Sequence, residues 1–174
     1  MLFEILKQPN SKKTLQEILE FVGSDPLNFK ELMHYFLGEN NRITQVASWA
    51  IGHLGETNPE LLKPYHKELV EQLALKNRHN AVRRNIIRAY QFIEIPEEIE
   101  GELYDICHKF ILTHDEAIAI RAFSMTVCER IATKYPELIP ELIVAIEATI
   151  PHGSSGLKNR AGHTSKRLKK LSNC

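Results

Sequence analysis

A metal centre or a nucleophile–base pair in this chain would have to draw on eight histidines and three cysteines, Cys107, Cys128 and Cys174. The nearest histidine pairs, His108/His114 and His152/His163, give neither His-x-x-x-His nor His-Glu-x-x-His spacing, which would project two imidazoles from one helical face. His34 and His66 fall beside apolar helical positions, where a packed imidazole is the expected state. The cysteines are odd in number and lack C-x-x-C spacing, which argues against both a disulfide framework and a thiolate zinc site. Ser48 and Ser124 sit inside helical patterns without a base and an orienting acid, and no Gly-x-Ser-x-Gly, Walker loop or dinucleotide fingerprint occurs. No metal, no cofactor and no enzymatic activity is therefore expected.

One loop has the composition of an anion cradle. His152-Gly153-Ser154-Ser155-Gly156-Leu157-Lys158 places glycines and serines at a helix start, with Lys158 and Arg160 close behind, where open N–H groups can surround a phosphate. The preferred reading is a connector in which Ser155 or Gly156 caps the following helix.

The elements that must position these residues form a repeat. Pro26, Pro59, Pro96 and Pro136 are spaced by 33, 37 and 40 residues, and each is expected in the first turn of a helix, where its missing N–H costs nothing. Counting from three residues after each proline, apolar side chains recur at offsets 0, 3, 4, 7, 8 and 11. Phe29, Leu32, Met33, Phe36 and Leu37 are one such set, and Ile139, Leu142, Ile143, Ile146 and Ile150 another. A second helix with the same template follows each. Ile43, Val46, Ala47, Ala50, Ile51 and Leu54 fill every position; Val82, Ile86, Ala89, Tyr90 and Ile93 miss one, taken by Asn85. Ile120, Phe123, Ser124, Val127, Cys128 and Ile131 follow, then a weaker copy in Leu157, Ala161, Thr164, Ser165 and Leu168. Residues 1–23 read as a partial repeat, with Asn10-Ser11 as cap chemistry. No segment alternates as a strand does.

A chain of 174 residues with 43% hydrophobic and 25% charged residues suits one globular domain and is too apolar for disorder. No apolar run approaches the roughly 18–20 residues of a membrane span. Glu4 falls where a signal peptide carries bases. A cytoplasmic location and no membrane association are expected.

Paired helices at a period near 38, with proline opening the first and the dipeptides Val82-Arg83, Ile120-Arg121 and Leu157-Lys158 opening the second, resemble HEAT and armadillo-type repeats; Ile43-Thr44 departs from this pattern. Residues 119–171 (Ala-Ile-Arg-Ala-Phe-Ser-Met-Thr, then Tyr-Pro-Glu-Leu-Ile-Pro-Glu-Leu, then Lys-Asn-Arg-Ala-Gly-His) look like short bacterial HEAT-type proteins of unassigned role. The resemblance implies an all-α fold, a right-handed α-α superhelix of about four to five helical hairpins. It implies a single domain over 1–174 with repeats near 1–23, 26–55, 59–94, 96–133 and 136–171. The 153–156 loop also invites comparison with the Gly-Ser-Ser-x-Met-Pro-x-Lys-x-Asn loop of the fumarase and adenylosuccinate lyase superfamily. It lacks the Met-Pro and displaces the lysine and asparagine to Lys158 and Asn159, so lyase chemistry is not expected.

In such a solenoid the second helices line the concave face. If offsets 0, 3, 4, 7, 8 and 11 face the core, offsets 2, 5, 6 and 9 point away from it at 100° per residue. The inner surface would then contain Gln45, Ser48, Trp49 and Gly52; Arg84, Ile87, Arg88 and Gln91; Ala122, Met125, Thr126 and Glu129; and Asn159, Gly162, His163 and Lys166. Partner-binding candidates among them are Gln45, Trp49, Arg84, Arg88, Gln91, Glu129, His163 and Lys166, with Trp49, the sole tryptophan, beside arginines as the natural anchor. Arg83, Arg121 and Lys158 share offset 1, where bonding to neighbouring carbonyls is expected.

The zero net charge, 22 basic against 22 acidic residues, conceals segregation. The second helices (42–54, 80–93, 116–131, 157–171) total +10 and the first helices (59–76, 96–112, 136–149) total −7. The favoured reading is a non-enzymatic scaffold that binds a protein partner through its concave face, as a monomer or weak homo-oligomer. The alternative is nucleic-acid binding through a basic groove, remotely like HEAT-type DNA alkylation-repair proteins.

Overall fold

The computed structural model describes residues 1–172, and Cys174 lies outside the described residues. Ten α-helices and three short 3-10 turns occur among them, with no strand. The helices pair as five hairpins, and they divide into two compact units, Met1–Glu94 and Ile95–Cys174.

The first unit holds α1 (Leu2–Leu6), α2 (Lys12–Val22), α3 (Pro26–Phe36), α4 (Asn41–Thr57), α5 (His66–Ala74) and α6 (Asn80–Tyr90). Their starts follow from local chemistry. Ser11 Oγ accepts from Thr14 N at 3.1 Å, Asp25 Oδ1 from Leu27 N at 2.8 Å, and Asn40 Oδ1 from Arg42 N and Ile43 N at 3.1 and 3.2 Å. Each satisfies N–H groups that the first helical turn leaves open. Helix α4 packs on α2, α3 and α6. The whole expected stripe Ile43, Val46, Ala47, Ala50, Ile51 and Leu54 is buried, as is Val82, Ile86, Ala89, Tyr90 and Ile93 on the α6 side. Each fully buried valine, leucine or isoleucine of this set contributes about 1.5–3 kcal/mol.

The prolines behave less uniformly than the spacing predicts. Pro26 is the first residue of α3, as expected. Pro96 lies just before α7, at its cap position. Pro59 and Pro136 open 3-10 turns, Pro59–Leu61 and Pro136–Leu138, and the α-helices begin later, at His66 and Ile139. A second proline explains the delay in the first case. Pro64 has no N–H to bond the carbonyl of Glu60 and its ring crowds that carbonyl, so α-helix cannot run through it.

The second unit holds α7 (Glu97–Leu112), α8 (Ile118–Lys134), α9 (Ile139–Glu147) and α10 (Ser155–Ser172). Its core gathers Leu103, Cys107 and Ile111 of α7 with Ile120, Val127 and Cys128 of α8, Leu142 and Ile146 of α9, and Leu157, Ala161 and Leu168 of α10. Cys107 and Cys128 are buried free thiols that pack as small core residues. Ser154, not Ser155 or Gly156, caps α10: its Oγ accepts from Leu157 N at 3.3 Å, and its carbonyl accepts from Lys158 N at 2.9 Å.

Arginines close the C-terminal ends of three first helices, where carbonyls lack helical partners. Arg42 Nη2 donates to the carbonyl of Lys7 at 3.1 Å. Arg78 donates to the carbonyls of Gly38 at 2.9 Å and Leu37 at 3.4 Å. Arg121, 7% exposed, donates through Nε and Nη2 to the Ile111 carbonyl, both at 3.1 Å, and through Nη1 to that of His114 at 3.4 Å. The carbonyl-bonding role expected at offset 1 thus holds for Arg121. Arg83 bonds Asn80 Oδ1 on its own helix, and Lys158 is exposed.

Candidate functional site

The second helices bury two flanks, not one. Ser48, Gly52, Ile87 and Met125, placed on the open face by the 100° rule, are buried, Ile87 and Met125 completely. In the first unit the reason is the close approach of α4 and α6. Asn85, the polar residue that interrupts the α6 stripe, donates through Nδ2 to Ser48 Oγ at 3.0 Å, and Ser48 donates to the Gln45 carbonyl at 2.7 Å. Gly55 permits this approach: a Cβ built there would lie 2.5 Å from the Cβ of Ala89 and 2.7 Å from its Cα. The surface left open is a narrower strip at offsets 2, 6 and 10.

In the first unit that strip contains Gln45, Trp49 and His53 of α4 and Arg84 and Arg88 of α6. Gln45 and Trp49 are half-buried, and Trp49 lies against His53 with ring centroids 6.2 Å apart. The pairings Ser48–Asn85 and Gly55–Ala89 set a register of 34 to 37 residues, which brings Arg84 to the level of Trp49. Arg84 is exposed and makes no ion pair among the described residues. Arg88 is committed: Nη2 donates to Glu56 Oε2 at 3.3 Å and Nη1 lies 3.4 Å from His53 Nε2. Burial of the ring and then the Arg88 cation push the His53 imidazole below its ordinary pKa, against the opposing pull of Glu56. The neutral form of the imidazole is thus favoured beside Trp49. Gln91 is half-buried, its Nε2 3.5 Å from the Arg88 carbonyl.

In the second unit Glu129 is held by Arg167 in a two-pronged ion pair at 2.6 and 2.7 Å, with the carboxylate side chain only 14% exposed. His163 is exposed and, with Gly156, Asn159, Arg160 and Arg167, lines a shallow hollow of about 330 Å³. Lys166 is exposed on a different hollow, with Gly162, Lys169 and Lys170. The eight candidates therefore fall into groups: Gln45, Trp49, Arg84 and Arg88 on one strip with Gln91 behind it, Glu129 neutralised by Arg167, His163 at one hollow and Lys166 at another.

Sequence reasoning missed His53, whose place four residues after Trp49 was the available signal, and the pairings that neutralise Arg88 with Glu56 and the candidate Glu129 with Arg167. It also missed the ring pair of His114 and His152, 6.3 Å apart across connectors far apart in sequence. Among the described residues, no group of three or more His, Cys, Asp or Glu side chains could hold a metal ion. None of their helices is long and apolar enough to cross a membrane.

Helical hairpins whose second helices bury one flank on their own hairpin and another on the next define a helical-repeat protein. The family model of the HEAT repeat domain matches residues 2–167, and the chain belongs to the HEAT repeat family, an α-solenoid of helical hairpins. Repeats of this family generally serve as scaffolds for protein interaction and are typically non-enzymatic. No curated protein and no solved structure matched the chain.

Proposed function

We propose that this chain is a non-enzymatic scaffold that docks a protein partner on the open strip of its second helices, the concave face of such solenoids, with all of 1–174 acting as one repeat domain. The observation that carries the reading is the half-buried Trp49 at the level of the unpaired Arg84. An aromatic ring with an apolar body and one polar edge, next to a cation with free donors, is the composition that dominates protein interfaces. Gln45 and His53 extend the strip with donors and acceptors that need no charged partner. Arg88 belongs to the strip and Gln91 lies behind it, and Glu129 and His163 are the corresponding candidates of the second unit; Lys166 lies at a separate hollow, outside this surface.

The strip favours a protein over a nucleic acid because its cations are largely neutralised: Arg88 by Glu56 and Arg167 by Glu129. The buried free thiols Cys107 and Cys128 support a reducing compartment, and the cytoplasm is the proposed location. A pull-down with wild type and Trp49→Ala/Arg84→Ala, both checked for native circular dichroism, tests the proposal. A partner retained by wild type and lost by the double variant is expected. Identical eluates from the two proteins would sink it.

A further inference from the structure

We infer that α10 carries a second binding surface, independent of the Trp49 strip, that takes the phosphate backbone of a nucleic acid without reading its sequence. The inference starts from equivalent positions in the second helices. Offsets 1, 5 and 9 are Thr44, Ser48 and Gly52 in α4, all buried, and Arg121, Met125 and Glu129 in α8, where the first two are buried and the third is neutralised. In α4 this flank meets α6, where Ser48 and Gly52 lie against Asn85, and in α8 Glu129 meets Arg167 of α10. In α10 the same offsets are Lys158, Gly162 and Lys166, and all three are exposed.

The flank is built as a cationic edge. Lys158 and Lys166 are eight residues apart, about 12 Å along the helix, with Gly162 between them and Lys170 one turn beyond. No ion pair reaches Lys158 or Lys166 among the described residues. A Cβ built on Gly162 would meet nothing within 4 Å, so the centre of the edge is open to an approaching backbone. Gly162, Lys166, Lys169 and Lys170 line a hollow of about 400 Å³. The one acid there, Glu147, is already engaged by Lys169 and by Ser165 Oγ at 2.7 Å, and those two bonds hold its carboxyl below the usual range.

Charge complementarity and the absence of an anchor choose the occupant. The edge presents ammonium groups, which bind phosphate as point charges without a fixed geometry. Its only apolar lining residue is the half-buried Ile150, so it lacks the aromatic or aliphatic anchor that a protein partner needs. Lys158 and Lys166, about 12 Å apart, span a few charges of a polymer that carries one every ~3.4 Å per strand, and the released counterions drive binding.

The test is a fluorescence-anisotropy titration of the full chain with a labelled mixed-sequence 20-nucleotide single strand and its duplex, from about 50 to 200 mM salt. Wild type is expected to bind at low salt, with affinity falling steeply as salt rises. Lys158→Glu/Lys166→Glu is expected to lose at least tenfold in affinity and to flatten the single-strand salt slope by about 1.4, at about 0.7 per lost phosphate contact. Both lysines are solvent-exposed, and unchanged thermal unfolding verifies the fold. Trp49→Ala/Arg84→Ala should bind the oligonucleotide as wild type does. No binding at low salt, equal binding by wild type and the Lys158/Lys166 variant, or binding to phosphatidylserine vesicles without binding to nucleic acid would each overturn the proposal.

Discussion

Replacing Gly55 by alanine would set a methyl group against the backbone of Ala89, which no rotamer change can relieve. Gly55→Ala is expected to destabilise the protein by about 1–3 kcal/mol in urea unfolding, despite the better helix propensity of alanine. Gly101 is the contrast: it lies mid-helix in α7, exposed, with nothing within 4 Å of a built Cβ. Gly101→Ala should stabilise by up to about 1 kcal/mol in the same assay. Glu100, only 3% exposed, accepts from Tyr135 Oη at 2.7 Å and from Lys134 Nζ. Burial by itself would raise its pKa, but these two bonds outweigh burial and depress it. A carboxyl with a depressed folded pKa contributes stability at pH values above its unfolded pKa, about 4.3, and loses it as pH falls through the folded value. Glu100→Gln should therefore cost about 1–3 kcal/mol at pH 7, and the deficit should shrink in unfolding measured below pH 4. None of this is visible in the sequence, where Glu100 is one of several acids at the start of α7 and Gly55 one glycine after the apolar stripe of α4.

At the scale of the element, a helix is legible when its pattern and caps are local. The α4 stripe and the cap at Asn40 are both contained within a dozen residues, and both are found where the sequence puts them. Asn40→Ala should cost about 1 kcal/mol by thermal unfolding. The late starts of α5 and α9 were also local facts, since a second proline follows Pro59 and Pro136 within five residues. The arginine closures were not. Arg78 sits in a polar connector, and only folding brings it to carbonyls 40 residues earlier in the chain. Arg121→Ala should strip the Ile111 carbonyl of its side-chain donors at the C-terminal end of α7. An expected loss of about 1.5–3 kcal/mol, with faster amide exchange at the end of α7, would show it. An unchanged exchange pattern would contradict that role.

For the whole molecule, the zero net charge separates into acidic first helices and basic second helices, but pairing removes much of the second-helix excess. Arg88, Arg167 and Lys169 each face a carboxylate, whereas Arg84, Lys158 and Lys166 do not. The two proposed surfaces should therefore be separable. Trp49→Ala/Arg84→Ala is expected to abolish partner capture and spare oligonucleotide binding, and Lys158→Glu/Lys166→Glu the reverse; parallel losses in both assays would refute this separation. By itself the sequence determined the repeat, the helical class and most of the core stripe of each second helix, Phe123 of α8 being only half-buried, because a 3.6-residue period is written in neighbouring residues. Tertiary structure alone decided which residues of the opposite face remain open. A helix in a repeat stack buries a second flank against a partner some 35 to 40 residues away, so Ser48 and Met125 vanish from the surface that Trp49, His53 and Arg84 keep.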